Sequence, residues 1–436
     1  MCEYIKMIQK LLKSRNIKNS LWVIGEQIFQ MIISLIISVL SARYLGPGHY
    51  GSLNYTASFV TFFMSIATLG MEGVVVKKLV DHPEKEGRYL GGCMMLRLAS
   101  SLLSILSICI LIIVLNLGDM LKLVMALLQS MQLMFRAVQI LDSWFQRHLK
   151  SKYVSIGKMI ACLTVSAYKI YLLATSKSIL WFAASNALSD CVIAVVLFVF
   201  YQKEKNQVIR VDLKCGIDTL KDSYHFILSG LMVAIYSQMD KIMIGQMLTD
   251  QDVGLYSTAT LIAGMWIFVP TAIINSFRPM IMEVKKSGNE ENYLLRLKQL
   301  YSAIIWLCLF VSTVVAIGGK YIILLLYGDA YVGATSALRI AIWFETFAMI
   351  GTCRGIWVLC ENKAKYVKYY LGIGAVVNLV LNTVLIPLMG IDGAALATLL
   401  TQITTSIIAP MFFKETRIHT QIVFEAFAGL WLLKRR

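Results

Sequence analysis

The chain has 436 residues, of which 58% are hydrophobic and only 15% are charged, and its formal net charge is +16. Soluble domains are about 45–50% apolar and about 25% charged, and one water-soluble core cannot bury this much apolar surface. The composition therefore excludes an ordinary soluble protein and predicts a polytopic helical membrane protein. A transmembrane barrel is disfavoured, because its strands alternate apolar and polar residues over about 10 positions.

Apolar segments recur along the whole chain, each close to the roughly 20 residues that cross a hydrocarbon core as a helix. We predict twelve spans, at residues 20–42, 50–73, 90–115, 121–144, 156–175, 179–201, 223–245, 254–277, 299–317, 336–359, 367–386 and 394–413.

These spans divide the chain into two halves of six. We predict an amino-terminal six-helix bundle at 20–201, a cytoplasmic linker at 202–222 and a carboxy-terminal bundle at 223–413. The flanking segments 1–19 and 414–436 combine apolar residues with Lys and Arg. Such amphipathic segments are typical of helices that lie on the inner leaflet.

The placement of Lys and Arg predicts the orientation. The two tails and the loops after even-numbered spans hold 31 of the 41 basic residues, if Lys158 and Lys368 at the starts of the fifth and eleventh spans are included, whereas the loops after odd-numbered spans hold only four, at Arg43, Lys122, Lys177 and Lys320. By the positive-inside rule both termini are cytoplasmic. Because the basic residues occur in short groups between spans, they favour contact with anionic lipid over nucleic acid.

A basic segment occurs twice. WFQRHLKSKYV at 144–154 and WVLCENKAKYV at 357–367 are offset by 213 residues and follow the predicted spans 4 and 10. LGPGHYGSLNYTAS at 45–58 and LTDQDVGLYSTAT at 248–260 form a second, weaker pair, which aligns Gly51 with Gly254. Loops rich in Lys can resemble each other by composition alone. The agreement in order favours a parallel internal repeat, with the lysines of each copy held against anionic lipid.

Two parallel six-helix bundles enclose a central cavity that opens to either side of the membrane by rocking, as in transporters. Ionisable residues within spans are costly and usually face such a cavity or a partner. We predict that cations bind an anionic substrate and that carboxylates carry a coupling ion. The substrate-binding candidates are Arg97, Arg136, Lys169, Lys241 and Arg354, and the ion-coupling candidates are Glu26, Asp190, Asp240 and Glu345.

Internal pairing is the alternative for each of these residues. Lys169 and Asp190 lie at similar depth on adjacent predicted spans and could hold only each other. Arg97 and Arg136 have no obvious acidic partner nearby in sequence, which favours a place in the cavity. The 213-residue offset aligns Asp240 with Gln27, beside Glu26, so that a polar site recurs in the first helix of each half.

Signals for other chemistry are absent from the sequence. The nine Cys are scattered without a C-x-x-C pair, and the five His show no metal-ligand spacing. No P-loop, nucleophile elbow or H-E-x-x-H motif occurs. We therefore predict no catalytic residue, no metal and no cofactor, and an ATP-driven pump only if a partner supplies the ATPase.

Four segments carry a resemblance to a known family: SARYLGPGHYGSLNYTASFVTFF, QMDKIMIGQMLTDQDVGLYSTA, ENKAKYVKYYLGIGAVVNLVLN and IPLMGIDGAALAT. Together they resemble the polysaccharide-transport branch of the multidrug/oligosaccharidyl-lipid/polysaccharide (MOP) exporter superfamily, and in particular the Wzx-type O-antigen flippases. The resemblance extends over essentially the whole chain. The matching loop residues, such as Gly46, Gly390 and Gly393, look structural, with Asp240 the possible exception.

The resemblance implies an all-α, MATE-like fold and a bacterial inner-membrane protein. It implies transfer of undecaprenyl-diphosphate-linked oligosaccharide from the cytoplasmic to the periplasmic leaflet, coupled to a proton or sodium gradient. It also implies association with a polysaccharide polymerase and a chain-length regulator. The alternatives are a small-molecule multidrug antiporter of the same superfamily and a membrane polymerase or acyltransferase. The short outer loops count against the enzyme.

Overall fold

The computed structural model describes the backbone of residues 15–204 and 207–429, and side chains from residue 25 onward. Most of the predicted amphipathic segment at 1–19 and the last seven residues of the tail lie outside these ranges. Within them the chain is helical and contains no strand. The predicted all-α class is therefore confirmed.

Eight α-helices lie within the described residues 15–204. They are α1 Arg15–Ala67, α2 Glu72–Asp81, α3 Glu86–Leu115, α4 Met120–Ser130, α5 Gln132–Val138, α6 Leu141–Arg147, α7 Ser151–Ala174 and α8 Ile179–Glu204.

The described part of the chain after residue 206 contains nine more α-helices. They are α9 Leu213–Met247, α10 Asp250–Gly264, α11 Phe268–Lys286, α12 Glu290–Leu326, α13 Thr335–Cys360, α14 Val367–Met389, α15 Ile391–Ile403, α16 Ala409–Phe412 and α17 Arg417–Phe427. A π-helical segment, Thr404–Ile408, joins α15 to α16.

Ten helical segments in the described residues are long and apolar enough to cross a membrane. One of them, Gly25–Asp81, contains two of the predicted spans, and α13 is not among the ten. The chain is thus a multi-pass membrane protein, and the count of twelve stays a prediction.

Several helices extend well beyond the predicted spans. α9 begins at Leu213, so the second half of the predicted linker is helical. α12 runs from Glu290 to Leu326, past both ends of the predicted span 299–317. The reason is that hydropathy marks the part of a helix in the hydrocarbon, whereas the backbone hydrogen bonds continue through polar residues on either side.

Contacts divide the chain into two compact units. The first unit comprises the chain up to Leu45 and Thr56–Leu231, and the second comprises Gly46–Tyr55 and Met232–Arg436. A buried cluster that includes Trp144, Phe145 and Tyr201 forms a core of the first unit. A cluster that includes Tyr301 and Trp357 does so in the second. The two tryptophans are the ones that open the repeated segment.

The predicted spans 1 and 2 lie in one helix with a break at Gly46, whose φ of 70° is in the left-handed region. Pro47 follows and cannot donate to the helical ladder. Beyond the break, α1 packs against α10 in the second unit, where a Cβ at Gly51 would lie 1.6 Å from the carbonyl oxygen of Asp250. A Cβ at Gly254 would lie 2.1 Å from the carbonyl oxygen of Pro47. The two glycines that the repeat aligns therefore permit one close helix crossing.

Candidate functional site

The Asp240 carboxylate on α9 is 3% exposed and accepts four hydrogen bonds within the second unit. Its Oδ1 accepts from the Nδ2 atoms of Asn378 at 3.1 Å and Asn382 at 2.6 Å. Its Oδ2 accepts from the hydroxyl of Tyr256 at 2.5 Å and from that of Thr398. Four neutral donors from three helices thus enclose the carboxylate.

The placement of these donors follows from helical periodicity. Asn378 and Asn382 are four residues apart on α14, so both side chains lie on the same helix face. Tyr256 lies on α10 and Thr398 on α15. Because an unpaired polar group in a membrane interior is costly, two asparagines in an apolar helix indicate a partner.

A cavity of about 380 Å³ in the second unit adjoins this cage. Its polar lining residues outside the cage include Asn54, Tyr236, Ser237, Lys241, Ser257, Thr260, Glu345 and Gln402. The predicted residues Asp240, Lys241 and Glu345 are therefore brought to one cavity. Glu345 has no ion-pair partner among the described residues.

The oxygen atoms around Asp240 could hold a small cation. In the described chain the Oδ1 of Asn382 has no hydrogen-bond partner, although it is buried. Carboxylate, amide and hydroxyl oxygens are the ligands that hard cations prefer. A proton is the alternative, because the hydroxyls of Tyr256 and Thr398 can accept as well as donate and so can also satisfy a neutral carboxyl group. These groups are therefore chemically suited to a cation or a proton.

In the first unit, Arg136 and Asp190 form an ion pair. The Nε of Arg136 lies 3.0 Å from the Oδ1 of Asp190, and Gln139 donates to the same oxygen at 2.8 Å. The predicted alternative that Lys169 and Asp190 hold each other is wrong, because Asp190 pairs with Arg136, which lies 54 residues away in sequence. The sequence could not show this pairing, because it depends on the packing of α5 against α8.

Arg97 also lies near an acidic residue, although its Nε and Nη2 atoms have no hydrogen-bond partner among the described residues. It is 1% exposed and lies 3.8 Å from the Oε1 of Glu72 on α2. A cavity of about 140 Å³ nearby is lined by Glu72, Arg136, Asp142 and Lys158. The buried Glu26 has the charges of Lys158 and Asp142 as electrostatic neighbours. Cations and acids are thus intermixed around this cavity.

Lys169 lies apart from these charges. It lines a separate cavity of about 180 Å³ in the first unit. Within the side chains that the structure describes, no carboxylate lies within ion-pair distance of it.

Arg354 of the second unit is 7% exposed and is held by neutral partners. Its Nη1 donates to the carbonyl oxygen of Thr405 in the π-helical segment, and its guanidinium lies 4.7 Å from the centroid of the Tyr370 ring. This prediction of a substrate-binding cation stays untested, although the contacts give Arg354 a packing role.

The repeated basic segment has the same contacts in each unit. Lys150 pairs with Glu204 at the end of α8, and Lys363, its equivalent by the 213-residue offset, pairs with Glu415 at 2.7 Å. These lysines have partners within the protein, in addition to any contact with lipid. The agreement supports the internal repeat.

The helical fold is shared with solved membrane transporters. The structure matches that of the lipid II flippase MurJ in an inward closed conformation with a TM-score of 0.71 and 16% identity. The match covers 95% of this chain and 92% of that one. A multidrug resistance MATE family transporter in an inward-facing conformation matches with a TM-score of 0.66 and 12% identity, over 91% of this chain and 96% of that one.

More particularly, the chain belongs to the family described as polysaccharide biosynthesis protein, whose model matches residues 17–285. It is 27% identical over 179 residues to the probable flippase AglR of Haloferax volcanii, covering 40% of this chain and 37% of that protein. It is 26% identical over 232 residues to the lipid II flippase MurJ of Bacillus subtilis, covering 47% and 42%. These matches span less than half of either relative.

Proposed function

We propose that this protein flips undecaprenyl-diphosphate-linked repeat units of O-antigen, or of another surface polysaccharide, from the cytoplasmic to the periplasmic leaflet of the inner membrane. Membership of the polysaccharide biosynthesis family is the observation that carries the proposal. The similarity to relatives named as flippases supports it. A lipid-linked sugar also suits the chain physically, because its lipid can stay in the bilayer while only the polar headgroup crosses a polar interior.

Transport proceeds by alternating access between the two halves, with both termini on the cytoplasmic side. Coupling to a cation or proton gradient takes place at Asp240. The cage of Tyr256, Asn378, Asn382 and Thr398 supports this role, because all four groups that donate to the carboxylate in the described chain are neutral. A polymerase and a chain-length regulator that act on the product are the proposed partners.

A gene deletion in the native host tests the proposal. We expect lipid-linked repeat units to accumulate on the cytoplasmic face while surface polysaccharide disappears, and expression of the intact protein to restore both. Asp240→Asn should fail to restore export while its amount in the membrane stays normal. Intact surface polysaccharide in the deletion strain would contradict the proposal.

A small-molecule antiporter is the second candidate, favoured by the similarity to the MATE transporter. In that case the deletion strain would keep its surface polysaccharide and become sensitive to cationic drugs. The two outcomes are separated by one pair of measurements, surface polysaccharide and drug sensitivity, on the same strain.

A further inference from the structure

A small cavity in the first unit contains one lysine among neutral polar groups. It is formed by α1, α7 and α8 and has a volume of about 180 Å³. Its polar lining consists of Gln30, Ser34, Cys162, Ser166, Lys169, Asn186 and Ser189. It therefore combines one ammonium group with several neutral groups, and none of the described side chains that line it is a carboxylate.

The lack of a carboxylate sets Lys169 apart from Arg97 and Arg136. Each of those two arginines is within ion-pair distance of an acid, whereas Lys169 has no such acid among the described side chains. An ammonium group without a counter-ion is poorly stabilised inside a membrane protein. An anion that enters the cavity would supply the missing charge, which makes Lys169 available to a ligand.

The neutral lining residues determine which anion fits. Serine hydroxyls and the amides of Gln30 and Asn186 can each donate and accept hydrogen bonds, as sugar hydroxyls do. Ser34 and Asn186 are exposed although they lie within predicted spans, and exposed polar groups at that depth are typical of a water-filled interior. The volume equals that of about six water molecules at about 30 Å³ each, enough for one ring-sized polar group and too small for a whole oligosaccharide.

We propose that this cavity binds an anionic oxygen group attached to a sugar ring of the substrate, with Lys169 as its counter-ion and the serine and amide groups on the sugar hydroxyls. The proposal rests on the proposed function and deepens it by naming a charged sugar headgroup. The anionic group has two sources: the carboxylate of an acidic sugar, or the phosphate on the first sugar.

Cys162 provides a reporter, because its thiol lines the cavity within hydrogen-bond reach of Ser34 and Ser166. In a full-length variant with the other eight cysteines replaced by serine, the rate of Cys162 modification by N-ethylmaleimide is measured in detergent. Glucuronate, glucose 1-phosphate and glucose are the probes. We expect slower modification with at least one of the two anionic probes, and little change with glucose.

Lys169→Gln should raise the half-protecting concentration of the anionic probe at least about tenfold, the factor for losing a hydrogen bond to a charged group. Lys169→Arg should retain protection. Lys177→Gln, which removes the same charge from an outer loop, is the matched control and should behave like the parent.

Equal protection by glucose, protection that survives in Lys169→Gln, or no protection by either anionic probe would each overturn the proposal. If Lys169→Gln fails to fold, the comparison of the three probes on the parent and on Lys169→Arg still decides whether the cavity binds an anion. Protection in a protein that does not flip lipid-linked sugar would refute the proposed function and leave the cavity's anion site standing. Flipping of lipid-linked sugar without protection of Cys162 would refute the anion site and leave the proposed function standing.

Discussion

Asp240→Asn is a test of ion coupling that should leave the fold nearly intact. The amide oxygen can take the place of Oδ1 and still accept from Asn378 and Asn382. The amide nitrogen then takes the place of Oδ2 and faces two hydroxyls, of Tyr256 and Thr398. Because a hydroxyl both donates and accepts, these two can rotate and accept from the amide. We therefore expect the free energy of unfolding to fall by no more than about 2 kcal/mol.

The effect on ion binding should be much larger. Two unit charges 4 Å apart interact by about 4 kcal/mol at an effective dielectric constant of 20. Removing the carboxylate charge should weaken the binding of a cation at this site about 10³-fold.

The assay is thermal unfolding of the purified protein in detergent. The unfolding temperature is measured in a series of monovalent cations and compared with that in choline. A cation at 100 times its dissociation constant stabilises the intact protein by about 2.7 kcal/mol, and Asp240→Asn should abolish that stabilisation. Glu345→Gln is the matched control, since it neutralises a carboxylate that lines the same cavity outside the cage. If protons are the coupling ion, the same contrast should appear in the pH dependence of flipping.

Full ion-dependent stabilisation or full pH-dependent flipping in Asp240→Asn would refute the reasoning. A loss of both in Asp240→Asn and Glu345→Gln alike would refute the assignment of coupling to the cage.

Three further predictions concern the described contacts. Asp190→Asn, Arg136→Gln and the double variant form a double-mutant cycle on the stability of the purified protein. We expect a coupling free energy of about 1–3 kcal/mol, because the carboxylate is buried. Additive effects of the two substitutions would show that the ion pair contributes nothing. Burial lowers the pKa of His419 to about 3. Below about pH 6.5 the unfolded protein therefore binds a proton at His419 that the folded protein does not, and the free energy of unfolding should fall. Between pH 7.5 and 5 the loss should be about 2 kcal/mol, and His419→Gln should remove that part of the pH dependence; an unchanged profile would show that His419 is not the titrating group. Gly254→Val should prevent the close helix crossing and destabilise the protein, whereas Gly25→Val, at a glycine with open space around it, should not.

Much of the helical architecture was predictable, because a short window of the sequence shows whether a segment is apolar and how long it is. Apolar runs near 20 residues place the spans, and the 213-residue repeat anticipates equivalent contacts at Lys150 and Lys363. The helix ends were less predictable. Leu213 begins a helix well outside the apolar window, since polar residues extend a helix as readily as apolar ones once its hydrogen bonds are in place.

The site was only partly predictable. Their position within predicted spans singled out Asp240 and Glu345, and both line one cavity. The partners depend on which helix faces which, and single-sequence patterns do not contain that information. For this reason the pairing of Arg136 with Asp190 was missed, and so were the cage residues Asn378 and Asn382. Their four-residue spacing in an apolar helix was the signal that could have identified them.

Flipping by the purified protein is the most direct test of the central claim. The protein is reconstituted in liposomes that contain a lipid-linked oligosaccharide with a fluorescent headgroup, and the fraction of headgroups open to a membrane-impermeant quencher is followed in an imposed ion gradient. We predict transfer between leaflets that requires the protein, responds to the gradient and is lost in Asp240→Asn. No transfer of the lipid-linked sugar, together with gradient-driven export of a cationic dye from the same liposomes, would contradict the account.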